Sequence, residues 1–485
     1  MSLLQTLKAA GQRAFSIDWN NTEGSPSSSI DSISGSKKRR TVSGQVTSLD
    51  DQIKDRDRKS IVLTSRNVTQ NFELAAWAIR KHLDFTSSFS FSVKSGIPSF
   101  DLEISEFIGR ASRPENFDSA GKHSLARTLR IAESMRCLDG DVFLMKLRTG
   151  RIQAIEGDRV KTPEERRDAG DFNVERTFNG VETSFSGRHL RYAVHNRSRG
   201  GGLTFDRWIP ARNIFAHGFY TRFDQVRGVS PIVAALGRFQ DVYEGFDYAH
   251  QLGKLSNLFG LVLTRDAAEN GLGALTSSDA DGDGEDDTHS VKLSNRPMVL
   301  DLDPGEDAKF LENKTPAFEF QQFSDTMIMV ALKALDIPFS FYNESFTNFF
   351  GSKSALTQYL ISARAKRADN SDLLRRWTIW RIGVGILDGS LTIPREFESL
   401  EDVPFKWNAN GVPWLDPRDI RGDIDAVKAG LKTRSEVRHE RFGDEWSDVA
   451  EKLAEEESLI DELGLSVTMD NSSAAQVVEV DNQEE

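Results

Sequence analysis

A chain of 485 residues is too long for one ordinary hydrophobic core and divides into roughly two to four lobes. With 38% hydrophobic and 28% charged residues, it has no apolar run near the ~18 residues of a membrane span, and its single cysteine, Cys137, excludes an internal disulfide. The formal net charge of −13 argues against a protein that grips duplex DNA by neutralising phosphates.

In chain order, the opening MSLLQTLKAAGQRAF lacks the long apolar core and cleavage site of a secretory leader. Residues 21–48 crowd Ser, Thr, Gly and Asn around Lys37-Lys38-Arg39-Arg40, a composition that predicts a disordered arm with a solvated basic run. A helix follows, with Phe72, Ala76, Ile79 and Leu83 on one face. Residues 122–136 read as another helix, and Asp139-Gly140-Asp141 as a turn into short strands at 142–147, 152–156, 190–194 and 208–210. Glu156 with Asp158, and His189 with Arg191 and His195, are acid and metal-ligand types, but neither set has a third ligand or base at a recognised spacing.

The most patterned stretch is 217–266. Arg227-Gly228-Val229 reads as a turn, with Ser230 as helix cap and Pro231 in the first turn. Ile232, Leu236, Phe239, Tyr243 and Phe246 then share one helical face. The apolar run 258–263 predicts a strand, paired with one at 298–302. Between them Asp279, Asp281, Asp283 and Gly284 open like a calcium loop, yet Ser290 stands where the bidentate Glu belongs, so the reading is a solvated acidic loop. A second helix places Phe320, Phe323, Met327, Val330 and Ala334 on one face. The GSKS at 351–354 is not a phosphate-binding loop, because Phe346 replaces its first Gly. A long helix follows, polar at 368–372 and carrying Arg364, Lys366, Arg367, Arg375, Arg376 and Arg381, which read as packed against acidic neighbours. Charged helices around Gly430 and Gly443 close the chain.

The turn His217-x-Phe219, Arg222, Gln225-x-Arg227-Gly228-Val229-Ser230-Pro231, with its helix and strand, resembles the middle of the lambda-type phage portal proteins. Ile337-Pro338 is similar to the family's "lgIP" helix ending, and Ser352, Ser354 and Arg364 to its "nySsaR" region. Trp414-Leu415-Asp416-Pro417, Ala429-Gly430-Leu431 and Phe442-Gly443-Asp444 follow its "wiDP…aGl…G.d" ending, so the resemblance spans roughly 60–465 and rests on motif order.

The resemblance implies an α+β, portal-like fold: a mixed α/β wing, long stem helices flanking a small β-containing clip, a long kinked helix and a C-terminal helical region. On it the chain divides into a disordered arm at 1–59, a wing at 60–229, stem helices at 230–256 and 319–336, and a clip at 257–318 with its acidic loop at 271–290. A tunnel loop at 337–353, the long helix at 354–390, wing or crown helices at 391–465 and a disordered acidic tail at 466–485 complete it. The implied function is a dodecameric ring at the capsid vertex, assembled in the host cytoplasm, through which double-stranded DNA is packaged and ejected. Its implied partners are the terminase large subunit, head-tail connector or neck proteins, and the major capsid protein or scaffold; no cofactor, metal, catalytic residue or membrane is expected. An acidic chain suits a conduit that lets DNA slide. By tunnel-loop position Tyr342, Asn343, Thr347, Asn348 and Lys353 are the DNA-channel candidates. A neck or tail adaptor ring is the alternative, and a packaging-associated hydrolase a more distant one.

Overall fold

The computed structural model describes residues 48–164, 170, 172–258, 261–265, 306–310, 318–343, 349–410, 417–442 and 446–463. The chain falls into two units, Met1–Ala234 with Ala334–Glu485, and Ala235–Lys333. The basic run at 37–40, the acidic loop at 271–290 and the tail from 466 lie outside the described residues.

The first unit opens ahead of residue 60, the expected start of the wing. Helices α1 (Leu49–Gln52) and α2 (Asp55–Asn71) occupy part of the expected arm, and α1 is capped by Ser48, whose hydroxyl accepts from the Asp51 N–H at 3.1 Å. Asp50 and Arg58 are buried; their partners lie far along the chain, which a local reading cannot see. At Phe72 the backbone turns extended, separating α2 from α3 (Glu73–Thr86). Leu74, Ala78, Ile79 and Leu83 bury on α3. Strand β1 (Phe89–Val93) leads to α4 (Pro98–Ala111), started by proline in its first turn, then α5 (Pro114–Phe117) and α6 (Leu125–Asp139).

Two antiparallel sheets follow. Strands β2 (Asp141–Lys146), β3 (Ile152–Glu156) and β8 (Ile214–Gly218) form one in the order β3-β2-β8. Strands β4 (Thr177–Phe178), β5 (Val181–Thr183), β6 (His189–Arg197) and β7 (Leu203–Pro210) form the other in sequence order. Phe143 and Ile155 from the first pack with Val181, Tyr192, Val194 and Ile209 from the second in a shared core. A larger core gathers Phe100, Ile104 and Phe107 of α4 with Leu373, Leu374, Trp377 and Ile382 of the long helix α9 (Phe349–Leu387). Strand β11 (Phe405–Ala409) pairs with β1, Phe91 opposite Trp407. Helices α10 (Pro417–Lys428), α11 (Arg434–Phe442) and α12 (Trp446–Glu462) complete the unit. Gly430, left-handed at φ 71, ends α10 as the sequence predicts.

The second unit is helix, hairpin, helix: α7 (Val233–Leu258), β9 (Leu261–Arg265), β10 (Glu306–Phe310) and α8 (Phe318–Leu332). Several boundaries and faces differ from the sequence reading. Helix α7 starts at Val233 rather than 230, because the Ser230 hydroxyl is spent on the Cys137 carbonyl at 2.5 Å. The partner of β9 is β10, Leu261 opposite Phe310, and the expected strand at 298–302 lies outside the described residues. On α8 the buried positions are Ser324, Ile328, Ala331, Leu332 and, past the helix end, Leu335, while Phe323 and Val330 of the expected face are exposed. Helix α9 begins at Phe349, five residues before its expected start.

Candidate functional site

The channel candidates sit on a turn whose base is held by α9 and the end of α3. After α8 the chain makes one 3-10 turn, Lys333–Leu335, and Asp336 takes a left-handed conformation at φ 60, a helix-ending geometry that short polar residues tolerate best. The Asp336 carboxylate accepts from Ser362 Oγ at 2.6 Å and Lys366 Nζ at 3.0 Å, and Lys366 also donates to the Leu335 carbonyl at 2.8 Å. One turn further along α9, Arg367 donates to the Phe85 carbonyl at 2.5 Å and Asn370 to that of Thr86 at 3.0 Å. Ile337, fully buried, and Pro338 then lead into a second 3-10 turn, Phe339–Phe341.

Aromatic rings lock this turn. Phe341 stacks on Phe85 with centroids 6.0 Å apart, and Tyr359 stands edge-on to both, at 5.0 Å from Phe85 and 5.5 Å from Phe341. Tyr342 lies edge-on to Trp77 at 6.4 Å and keeps 40% of its surface exposed. The Asn343 N–H donates to the Phe339 carbonyl at 2.9 Å. Tyr342 and Asn343 therefore close the anchored turn, and Thr347 and Asn348 lie outside the described residues. Lys353 is not a loop residue: it lies within α9, and its carbonyl accepts from Thr357 Oγ1 at 2.9 Å. The basic residues of α9 are mostly engaged within the chain. Arg376 pairs with Asp372 at 2.9 Å and Arg381 lies 4.7 Å over the Phe107 ring, while Arg364 and Arg375 are exposed.

The Arg227 turn is a second polar centre, and it holds structure together. All five guanidinium N–H groups of Arg227 are used: Nε and Nη2 reach the two oxygens of Asp141 at 2.7 and 2.9 Å, Nη2 the Gly157 carbonyl at 2.8 Å, and Nη1 the carbonyls of Val160 and Asn179. Arg58 adds a 2.7 Å bond to Asp141 and a 2.8 Å bond to the Gly228 carbonyl. Burial alone would raise the Asp141 pKa; the Arg227 and Arg58 charges hold it below the ordinary carboxylate value. Gly140 and Gly228 pass back to back, and a Cβ on Gly228 would lie 2.1 Å from the Gly140 oxygen. This backbone contact is what the glycine of the motif permits.

The acid and histidine sets read from sequence do not form catalytic groups. Glu156 and Asp158 both accept from Arg66 and Arg197. His189 Nδ1 faces the Tyr192 hydroxyl at 2.8 Å, His195 stands edge-on to Phe205, and Arg191 pairs with Glu182. The residues that position the turn, Asp336, Ser362 and Lys366, carry no local signal beyond the Asp-Ile-Pro helix ending. No helix among the described residues is long and apolar enough to cross a membrane.

Among solved structures the chain is similar to a protein of the neck of an empty gene transfer agent particle computed with C6 symmetry. The two are 13% identical with a TM-score of 0.48, over 79% of this chain and 92% of that one. It is also similar to chains of the native gene transfer agent virion (14% identity, TM-score 0.44, 79% and 92% covered) and of the native neck computed with C12 symmetry (14%, 0.45, 79% and 93%). The comparison with curated proteins finds no match. The family model "Phage portal protein, lambda family" matches residues 36–360, a span that takes in the Arg227 turn, both helices of the second unit and the anchored turn at 337–343. With more than half its length under that model, the chain belongs to the lambda family of phage portal proteins.

Proposed function

We propose that this portal-family chain assembles into a closed ring at the capsid vertex, a dodecamer as the family resemblance implies, through which double-stranded DNA enters and leaves the particle. Membership of the family makes it a structural particle component rather than an enzyme. The observation that carries the ring is the apolar surface of the second unit. In a single chain Tyr243, Phe246 and Tyr248 of α7 and Phe323, Met329 and Val330 of α8 are each at least 40% exposed, apolar surface of the kind that marks an interaction site. Neighbouring copies cover it in this reading. The hairpin between the two helices, with residues 257–318, serves as the clip that receives the terminase large subunit and the head-tail connector proteins. The sheets and helices of the first unit face the major capsid protein or scaffold, and Tyr342, Asn343, Thr347, Asn348 and Lys353 face the DNA path. The ring is assembled in the host cytoplasm and resides in the virion.

The test is Phe323→Asp combined with Val330→Asp. Both side chains are exposed in the single chain, so the fold should survive at a cost of about 0.5 kcal/mol or less per site, while light scattering after size exclusion should show the ring replaced by monomer. Rings of unchanged mass would remove this surface from the subunit interface.

A further inference from the structure

We propose that His82, Glu133, Cys137 and His217 form a structural site for a divalent transition metal of the zinc class. Glu133 and Cys137 lie one turn apart on α6, His82 comes from α3 and His217 from β8. The chain's one cysteine and two of its eight histidines thus meet at one glutamate, and each is at most 3% exposed. One donor atom each from His82, Glu133 and Cys137 lies within 4.8 Å of the others. His217 Nε2 is buried without a hydrogen-bond partner and stands 3.6 Å from Glu133 Oε2, beyond hydrogen-bond distance; it lies outside the group formed by the other three donors and must move inward to complete a four-ligand set.

The donor set selects the metal class. Two imidazoles, a thiolate and a carboxylate match the mixed nitrogen, sulfur and oxygen ligands of a closed tetrahedral zinc site, and a hard cation such as calcium or magnesium takes oxygen donors instead. The charges agree. Arg136 holds Glu133 through Nε at 2.8 Å and Nη2 at 3.0 Å and reaches Asp369 at 2.7 Å, so with a protonated thiol the group carries one net negative charge. A dication that displaces the thiol proton brings it to neutrality. The metal takes the thiolate, so the Cys137 proton leaves to solvent on binding. His82 Nε2 now lies 2.6 Å from Glu133 Oε1, and the two must part to about 3.3 Å to share a tetrahedral ion at about 2.0 Å from each. The imidazole proton then moves to Nδ1. A metal here would join α3, α6 and β8 at the side of the Arg227 turn.

This site is independent of the ring reading, and its test needs no assembly. The full chain, purified without chelator, should carry about one zinc ion per chain by plasma emission spectroscopy. Cobalt loading should produce a near-ultraviolet thiolate-to-cobalt absorption that Cys137→Ser lacks. A strong chelator should lower the thermal midpoint of the wild type by several degrees and leave that of the variant unmoved. Should Cys137→Ser fail to fold, the cobalt band of the wild type decides alone. A folded wild type with no bound zinc, no thiolate band and a midpoint indifferent to chelator would overturn the proposal and leave the cluster a buried ion-pair group.

Discussion

Asp141 anchors two buried arginines and the Gly228 N–H at once, so its removal strands two cations in a place water does not reach. Asp141→Asn should cost about 3–5 kcal/mol, the range for breaking a buried pair by deleting one partner, measured by urea unfolding at neutral pH. The sign of the pH dependence follows from the depressed carboxyl. Its stabilisation is fully present above the unfolded value of 3.8 and is lost as pH falls through the lower folded-state value. The gap between wild type and Asp141→Asn should therefore be constant from neutral pH to about 4 and close below it; a gap that closes between pH 7 and 5 would contradict the assignment. At this scale the sequence was partly legible. Arg227 stands in a recognisable motif, but Arg58 and Asp141 lie 83 positions apart and meet only in the fold, so the division that ends the disordered arm at residue 59 takes in residues 49–52 and 55–59, which are helical.

Helical periodicity located the elements well and their buried faces less well. On α7, Ile232 just ahead of the helix and then Leu236 and Phe239 bury as spaced, whereas Tyr243 and Phe246 on the same stripe are exposed. On α8 the stripe of Phe323 and Val330 faces outward. Spacing reports an apolar face and not which protein surface covers it; in the ring reading a second copy does so. Strand β10 escaped because Glu306, Asp307 and Lys309 give it a charged look that a small hairpin tolerates. Of the channel candidates, Tyr342 and Asn343 share one anchored turn, and Lys353 belongs to α9 because the helix starts before it. A loop that touches a moving polyanion works best with neutral groups, and one Lys per subunit becomes a ring of charges with counterion-release affinity for phosphates. Asn348→Lys should therefore slow DNA packaging into procapsids at low salt and recover at higher salt. Normal packaging at low salt would take Asn348 off the DNA path.

For the whole molecule, charge and exposed apolar surface point the same way. A net charge of −13 disfavours lasting contact with duplex DNA, which in the proposed ring suits a passage that must release what it carries, and in the same proposal the exposed aromatic side chains of the two helices are the surface that neighbouring copies cover. The α+β class, the helix-hairpin-helix order and the family were legible from motif order and periodicity, because those are local features repeated along the chain. Long-range ion pairs and the anchoring of the turn at 337–343 by α3 and α9 were not, because they join residues from distant parts of the sequence. Electron microscopy of the purified full-length chain is the direct measurement. Closed rings with a central opening, lost in the Phe323→Asp, Val330→Asp variant, are the predicted result. A chain that stays monomeric at every concentration and salt, with or without the other head proteins, would contradict the portal ring.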